Sequence, residues 1–486
     1  MSVSFYVGRD LTADGCVFLA GYGDEPSSHY FHLAEREEAD PEATMEVGVN
    51  SEAKFPGERI EIPRNWDSQR YITSRYSAWK GLPAPLENGG LNESQVAAAA
   101  VWSPSRPELK QMTPNPQRGV NFSDISRIVM QRARSAREAV EIAGSLIEEY
   151  GYATYGGNSH MFADKEEGWI MIELAGGQGL WAARRLSSDE IRVSRPGYLG
   201  YIPENYQQHP DYMVSPNLFA FAEKKGWYDP DSEQEFNFGR VYQTDRQPER
   251  PGKQIRAKGV EKMESLLQER APEISLLEMM EAVRSPLITS VTSGYGKVAR
   301  LAAEDHPFLA TLWMGSGPSL TSPFIPLPLG IEELPIEYKK HRYLTRGESY
   351  RFIDPDFQGR ESTTYAFRIF KRLYHLVAEH PGEFRTEVVD TLQAFEERAI
   401  RQLNNIKEMT RGLCEGNDLE VAKKQLTELS HKLAREGLET AEKLAASIEM
   451  KTKLLYGISE PGEGGEEDRL HAAIDEEFYP WADEDE

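Results

Sequence analysis

Two cysteines, Cys16 and Cys414, are all the thiol chemistry this 486-residue chain offers. They lie too far apart in sequence, and are too few, for a disulfide scaffold or a thiolate metal site. Basic residues are also scarce. Lys plus Arg number 55 against 79 Asp plus Glu, a formal net charge of −24. Such a surface repels phosphate backbones and argues against nucleic acid as a partner. Long apolar runs are missing as well: nothing approaches the ~18 residues of a membrane span, and mean hydropathy is −0.58. No membrane partner is expected. The chain start shows no charged segment followed by an apolar one, so no signal peptide is read and a cytoplasmic location is the expectation.

Cofactor signatures are absent in the same way. The glycines of Gly176-Gly-Gln-Gly179 and Gly315-Ser-Gly317 lead into neither a helix nor the Lys-Ser/Thr of a phosphate loop, and read as hairpin glycines. His29 and His32 frame an H-x-x-H. No acidic third ligand stands at helical spacing, and the stretch is too aromatic for a helix, so the pair reads as ordinary pocket or surface histidines. The expectation is no metal and no cofactor. No internal repeat is found.

The start of the chain is what it does have. Ser2 follows Met1 directly, and a small second residue normally permits removal of the initiator. One residue then carries a hydroxyl nucleophile and a free α-amine, a usable general base with a pKa of roughly 7.7–8.0. A β-prone run, Val3 to Val7, a turn ending in Asp14-Gly15, and a second apolar run from Cys16 to Ala20 follow. Two antiparallel strands over 3–7 and 16–20 would fold Asp24 back toward Ser2.

Farther on, Asn88-Gly-Gly reads as a glycine turn before a buried alanine-rich strand ending at Val101. The spacing of Ile125, Ile128, Val129, Arg132, Ala136, Val140, Ala143 and Ile147 predicts one amphipathic helix, capped by Ser123 and stopped by Gly151. Period-two alternation from Gly156 to Val193 predicts three strands, with turns at Lys165–Gly168 and Gly176–Gly179. Residues 203–260 read as a short helix, a loop and a crossover between lobes. Residues 310–330 read as a strand followed by a proline-stiffened loop that walls a pocket. From Ser362 the pattern turns helical. Leu392, Phe395, Ala399, Leu403, Ile406, Met409 and Leu413 make a stripe that Leu426, Leu429 and Leu433 continue in a following helix. Such a stripe suits core or dimer packing. Residues 459–486 read as an acidic tail.

Several blocks, in order, carry a resemblance: SFYVGRDLTADG, GGLNESQVAAAA, NSHMFADKEEGWIMIE with GGQGLWAARRL, SPNLFAFAEKKGWYDP with FNFGRVY, and SGPSLTSPFIPLPLG. Together they resemble the dipeptidase A family of N-terminal-nucleophile hydrolases, whose relatives include the secernins. The resemblance implies an α+β fold, a four-layer αββα sandwich with its nucleophile at the start of the first strand. The expected organisation is that domain over 2–360, a helical region over 361–458 and the tail.

In the family the nucleophile is an N-terminal cysteine; counting back from Val7-Gly8 puts that position on Ser2. The family's Arg-Asn-Glu-Asp run is Gly21-Tyr-Gly-Asp24 here, so only the final acid survives. Near Val193-Ser-Arg-Pro-Gly197 the family's asparagine is missing, and Arg195 stands close enough to supply some polarity. Cys16 is the rival nucleophile, though it falls where the family opens its second strand with Ser or Thr.

The function implied is hydrolysis of an amide bond, in a small peptide or an N-acyl amide. Ser2 would be nucleophile and base, Asp24 would hold an ammonium group, and Asn158 would be a donor lining the cleft. The alternative is a secernin-like binding protein that has lost turnover. A homo-oligomer is compatible with either.

Overall fold

The computed structural model describes residues 2–24, 29–77, 81–194, 197–232, 234–243, 258–289, 293–302, 306–341, 364–415 and 418–458. Its strands are β1 (Val3–Val7), β2 (Val17–Gly23), β3 (His29–Ala34), β4 (Thr44–Val47), β5 (Ile60–Pro63), β6 (Tyr71–Tyr76), β7 (Leu86–Asn92) and β8 (Ala97–Trp102). Then come β9 (Asn158–Ala163), β10 (Gly168–Glu173), β11 (Trp181–Leu186), β12 (Ile191–Ser194), β13 (Tyr212–Val214), β14 (Tyr295–Leu301), β15 (Thr311–Ser316) and β16 (Ile325–Pro328). The longer helices are α1 (Phe122–Arg132), α2 (Ala136–Tyr150), α3 (Lys258–Arg270), α4 (Leu276–Arg284), α5 (Ala366–Glu379), α6 (Pro381–Glu415) and α7 (Leu419–Tyr456).

The strands form a six-stranded sheet, β12-β1-β2-β14-β15-β16, and an eight-stranded one, β13-β11-β10-β9-β8-β7-β6-β3, with β4–β5 as a separate ribbon. The strands are buried on both faces, so each sheet needs the other on one side and helices on the other. Accordingly β1 and β2 lie over β8 and β9, and β15 lies over β3 and β7. Helices α1 and α2 cover the outer face of the eight-stranded sheet. Helices α3, α4, α6 and α7 pack on the outer side of the six-stranded one, with α5 against β15. The molecule is an α+β, four-layer αββα sandwich.

The N-terminal hairpin forms as its alternation and Asp-Gly turn predict, with Val3 opposite Tyr22 and Val7 opposite Phe18. The three-strand meander β9-β10-β11 is also in place. Elsewhere the local reading needs correcting. The stripe over 125–147 belongs to two helices, not one. Asn121, not Ser123, caps α1, in a reciprocal capping box with Asp124; Ser135 then caps α2. Ser123 instead accepts the Glu87 N–H at 2.9 Å, tying the helix to the sheet.

Asn88-Gly-Gly is not a turn but the middle of β7. A Cβ on Gly89 would stand 2.4 Å from the Ala98 oxygen, and one on Gly90 only 2.0 Å from the Ile72 oxygen. Glycine is required there for close approach of backbones. The proline-stiffened loop after β15 contains a further strand, β16, whose Pro326 and Pro328 occupy the sheet edge. An edge strand tolerates a missing N–H.

In the C-terminal helices Leu392, Phe395, Ala399 and Leu403 are buried, as are Leu426, Leu429 and Leu433. The stripe fades at Met409, which is 66% exposed. Arg195, the boundary near residue 361 and the acidic tail lie outside the described residues. Among the described residues no helix is long and apolar enough to cross a membrane.

Candidate active site

The hairpin register decides where Ser2 sits. With Val3 opposite Tyr22, Ser2 comes level with Gly23 and beside Asp24. The Asp24 main-chain N–H donates to Ser2 Oγ at 3.1 Å. Ser2 is only 8% exposed; Asp24 is half-buried. Side chains alternate along β1, and Tyr6 marks the face. A Cβ added to Gly168 of β10 would meet the Tyr6 ring at 2.4 Å, so Tyr6 points at the opposite sheet. Ser2 and Ser4 share that inner face.

Below Ser2 a row of in-register residues crosses four strands: Ser194, Ser4, Gly21 and Lys297. Residues opposite one another on neighbouring strands share a face, so this row also faces the opposite sheet. Lys297 confirms it by reaching across. Its ammonium donates to the Asn88 oxygen at 2.9 Å and the Ala98 oxygen at 2.6 Å. Gly21 adds no side chain, and a Cβ there would lie 2.2 Å from the Val3 oxygen. An arginine at this position would displace the start of β1, next to Ser2.

Aromatic rings wall the site on the β14 side. The His29 ring lies 4.8 Å from Tyr76 and 5.5 Å from Tyr295, centroid to centroid. Gly294 makes room for it, since a Cβ there would stand 1.9 Å from the His29 ring. Tyr76 donates its hydroxyl to Asn88 Oδ1 at 3.1 Å, and Tyr365 donates to the His29 oxygen at 2.7 Å. Lys297 Nζ lies 5.7 Å from the Tyr295 ring. Of this wall the sequence singles out His29 alone, as an ordinary pocket or surface histidine. A lysine or tyrosine in SGYGKVARL carries no signal of its face until β14 is paired with β2.

Asn158 is not brought to Ser2. Along β9 the pleat puts Asn158 on the face of His160 and Phe162, which pack toward α1 and α2, and its amide donates to the Ser159 oxygen at 3.1 Å. Ser159 is the residue of that pair on the inner face. Period two was legible, but its phase was not. Cys16 stands at the other end of the hairpin, about 20 Å along the strands from Ser2. It is 1% exposed, and burial, then the neighbouring Asp14, push its thiol far above the ordinary range.

His29 and His32 sit three apart on a strand and so face opposite ways. Among the described residues no group of three His, Cys, Asp or Glu is placed to hold a metal. Ser126, His160 and Glu173 form a hydrogen-bonded series, 3.0 Å and 2.7 Å, that looks catalytic. All three are fully buried under α1, where no substrate reaches. A cleft of about 650 Å³ opens at the β3 edge, lined by Tyr30, His32, Arg75, Tyr76 and Ser77 among others. It touches the aromatic wall through Tyr76 but includes neither Ser2 nor Asp24.

Known proteins resemble part of this chain. A probable dipeptidase of Salmonella dublin is 34% identical over 248 residues, 50% of this chain and 53% of its own length. A probable dipeptidase B of Lactococcus lactis subsp. lactis is 31% identical over 215 residues, 44% of this chain and 42% of its own. A probable dipeptidase A of Streptococcus pyogenes is 30% identical over 253 residues, 50% and 51%. The chain thus spans about half the length of the curated relatives it matches. A variant of conjugated bile acid hydrolase from Clostridium perfringens superposes on 67% of this chain and 92% of its own, at 10% identity and a TM-score of 0.33, too loosely to argue from. The sequence model of peptidase family C69 matches residues 3–282, from the first strand into α4. With more than half of its length inside that match, the chain belongs to peptidase family C69.

Proposed function

We propose that the protein hydrolyses the amide bond of small peptides, dipeptides first, with Ser2 as nucleophile once Met1 is removed. The observation that carries the reading is the contact between Ser2 Oγ and the Asp24 N–H at 3.1 Å, at the inner-face start of β1. Accepting this main-chain N–H fixes the hydroxyl at the start of the strand and stabilises negative charge on Oγ as its proton leaves, before the oxygen bonds to carbon. The Ser2 α-amine, directly or through one water, takes the hydroxyl proton as Oγ attacks the carbonyl carbon. The same ammonium then returns the proton to the leaving nitrogen, and water releases the acyl group from Oγ. In this reading the Asp24 carboxylate holds an ammonium, either that of Ser2 or the substrate's own.

Membership of family C69 and relatives named as dipeptidases support peptides as substrates. An N-acyl amide is the alternative substrate within the same chemistry. A cytoplasmic location and a homo-oligomeric assembly belong to the proposal. Gly21 favours a second reading, a binding protein without turnover, because it leaves the inner face beside Ser2 without the family's arginine.

The test is a set of three proteins, each checked by intact mass for loss of Met1: wild type, Ser2→Ala and Ser2→Cys. They are assayed on a dipeptide library and simple N-acyl amides, with and without excess chelator. We expect Ser2→Ala to be inactive, Ser2→Cys to match or exceed wild type, and chelator to change nothing. Turnover by Ser2→Ala would remove Ser2 from the mechanism. Silence of wild type and Ser2→Cys, with Met1 gone, would favour the binding reading.

A further inference from the structure

We infer that the exposed end of α7 is the contact through which two copies of this chain pair. The inference gives a surface to the homo-oligomer of the proposed function and does not depend on the amide chemistry of Ser2. Met450, Leu454, Leu455, Tyr456 and Ile458 are each between 54% and 79% exposed. The other large apolar residues that open to water, among the described ones, stand singly along the chain. Scattered ones are ordinary, whereas a cluster marks a surface that something covers. Ala446, Met450 and Leu454, all exposed, follow one another four residues apart and so share one face of the helix. The end is also held in place. The Tyr456 ring stacks on His380, just ahead of α6, with centroids 3.7 Å apart.

Area, shape and charge together favour a second copy. The five side chains leave on the order of 600 Å² in water, the upper end of what a monomer shows in one patch. A standard interface takes roughly 800 Å² from each partner, and the aliphatic stems of Lys443 and Lys453 flank the patch and add to it. The patch also suits its own image. In an antiparallel contact with its two-fold axis at Met450, Leu454 of one copy lies over the partner's Ala446, large against small, and symmetry repeats the pair. Over the whole chain the charge is −24, so copies repel across most of their surface. Residues 443–458 depart from that, with Lys443, Lys451 and Lys453 against a single acid, Glu449. Those lysines face Glu439, Glu387 and Glu449 of their own copy at 4.0, 2.6 and 3.5 Å. The rim is thus locally neutral. A second copy, neutral at the same place, fits it; a strongly charged partner gains nothing there.

The experiment is sedimentation equilibrium on the full chain, across roughly a hundredfold range of concentration. Wild type should sediment as an even number of copies of the 55.0 kDa chain. Leu454→Glu/Ile458→Glu should halve that number and leave circular dichroism unchanged, because both side chains lie in water. Met450→Cys, on the two-fold axis, should form a disulfide between copies under mild oxidation, seen as a doubled mass on a non-reducing gel. Val421→Cys, exposed near the other end of α7, should not. The native Cys16 and Cys414 are buried and stay out of this reaction. A wild type that is monomeric throughout, an assembly that keeps its mass in the double-glutamate variant, or equal crosslinking at 421 and 450 would overturn the contact. A monomer whose 450–458 amides resist hydrogen exchange would assign the cover to residues 459–486 of the same chain. A monomer that floats with phosphatidylcholine vesicles would assign it to lipid. Either result removes the dimer. Dipeptide turnover is measured separately, so the contact and the hydrolase reading stand or fall independently.

Discussion

Arg284, at the end of α4, grips Glu396 of α6 with both terminal nitrogens, Nη1 at 2.9 Å from Oε2 and Nη2 bonded to Oε1. The pair is almost wholly buried, and Glu396 also accepts the Phe324 N–H at 2.8 Å. Three elements, α4, α6 and the approach to β16, thus meet at one carboxylate. Breaking a buried pair from one side leaves an uncompensated charge, so Glu396→Ala should destabilise the protein by about 3–5 kcal/mol. Replacing both partners, as Arg284→Met/Glu396→Leu, should recover most of the loss. Urea unfolding of the three proteins measures it; a loss below about 1 kcal/mol in Glu396→Ala would mean the charge reaches water.

Cys16 should behave as core, not chemistry. Its thiol, raised by burial and then by Asp14, should resist alkylation in the folded protein and react only on unfolding. Cys16→Ala should cost about 1 kcal/mol, the scale of a small deleted buried group, and leave turnover in place. Rapid labelling of Cys16 in native protein, with loss of activity, would restore it as the nucleophile.

His32 sets a pH effect with a definite sign. Burial, then the nearby Arg75 charge, lower its pKa from 6.5 to about 4, while Glu87 opposes the shift. Between those values the unfolded chain binds a proton that the folded one refuses. The contribution to stability is therefore complete above pH ~6.5 and is lost as pH falls toward 4. Partial exposure moderates it to an order of 1–3 kcal/mol. Denaturation midpoints at pH 7 and pH 5 should draw apart less in His32→Gln than in wild type. Identical pH dependence in the two proteins would rule His32 out.

Local signals were legible wherever the chain neighbour is also the spatial neighbour. The β1–β2 hairpin and the β9–β10–β11 meander follow from alternation and turn glycines. Failures came where a distant partner decided the outcome. Asn88-Gly-Gly looks like a turn until β6 and β8 press against both sides of it. One apolar stripe over 125–147 conceals a break at Arg134-Ser135, because both helices bury the same face on the same sheet. Asn158 shows the limit most plainly: alternation reveals two faces, and only the packing of α1 and the opposite sheet says which is the cleft. Lys297 became visible only when its register partner, Gly21, was known.

The strand order has a consequence for biosynthesis. In the six-stranded sheet β1 lies between β2 and β12, and β2 between β1 and β14. The hairpin bearing Ser2 is made well before its sheet neighbours, so its two hydrogen-bonding edges stay open until residues 191–194 and 295–301 arrive. At ~5–20 residues per second that wait is roughly 15–60 s. Through it, an apolar two-stranded ribbon is exposed to any other edge it meets. A chain interrupted before β14 would leave the β2 edge of the Ser2 hairpin unpaired.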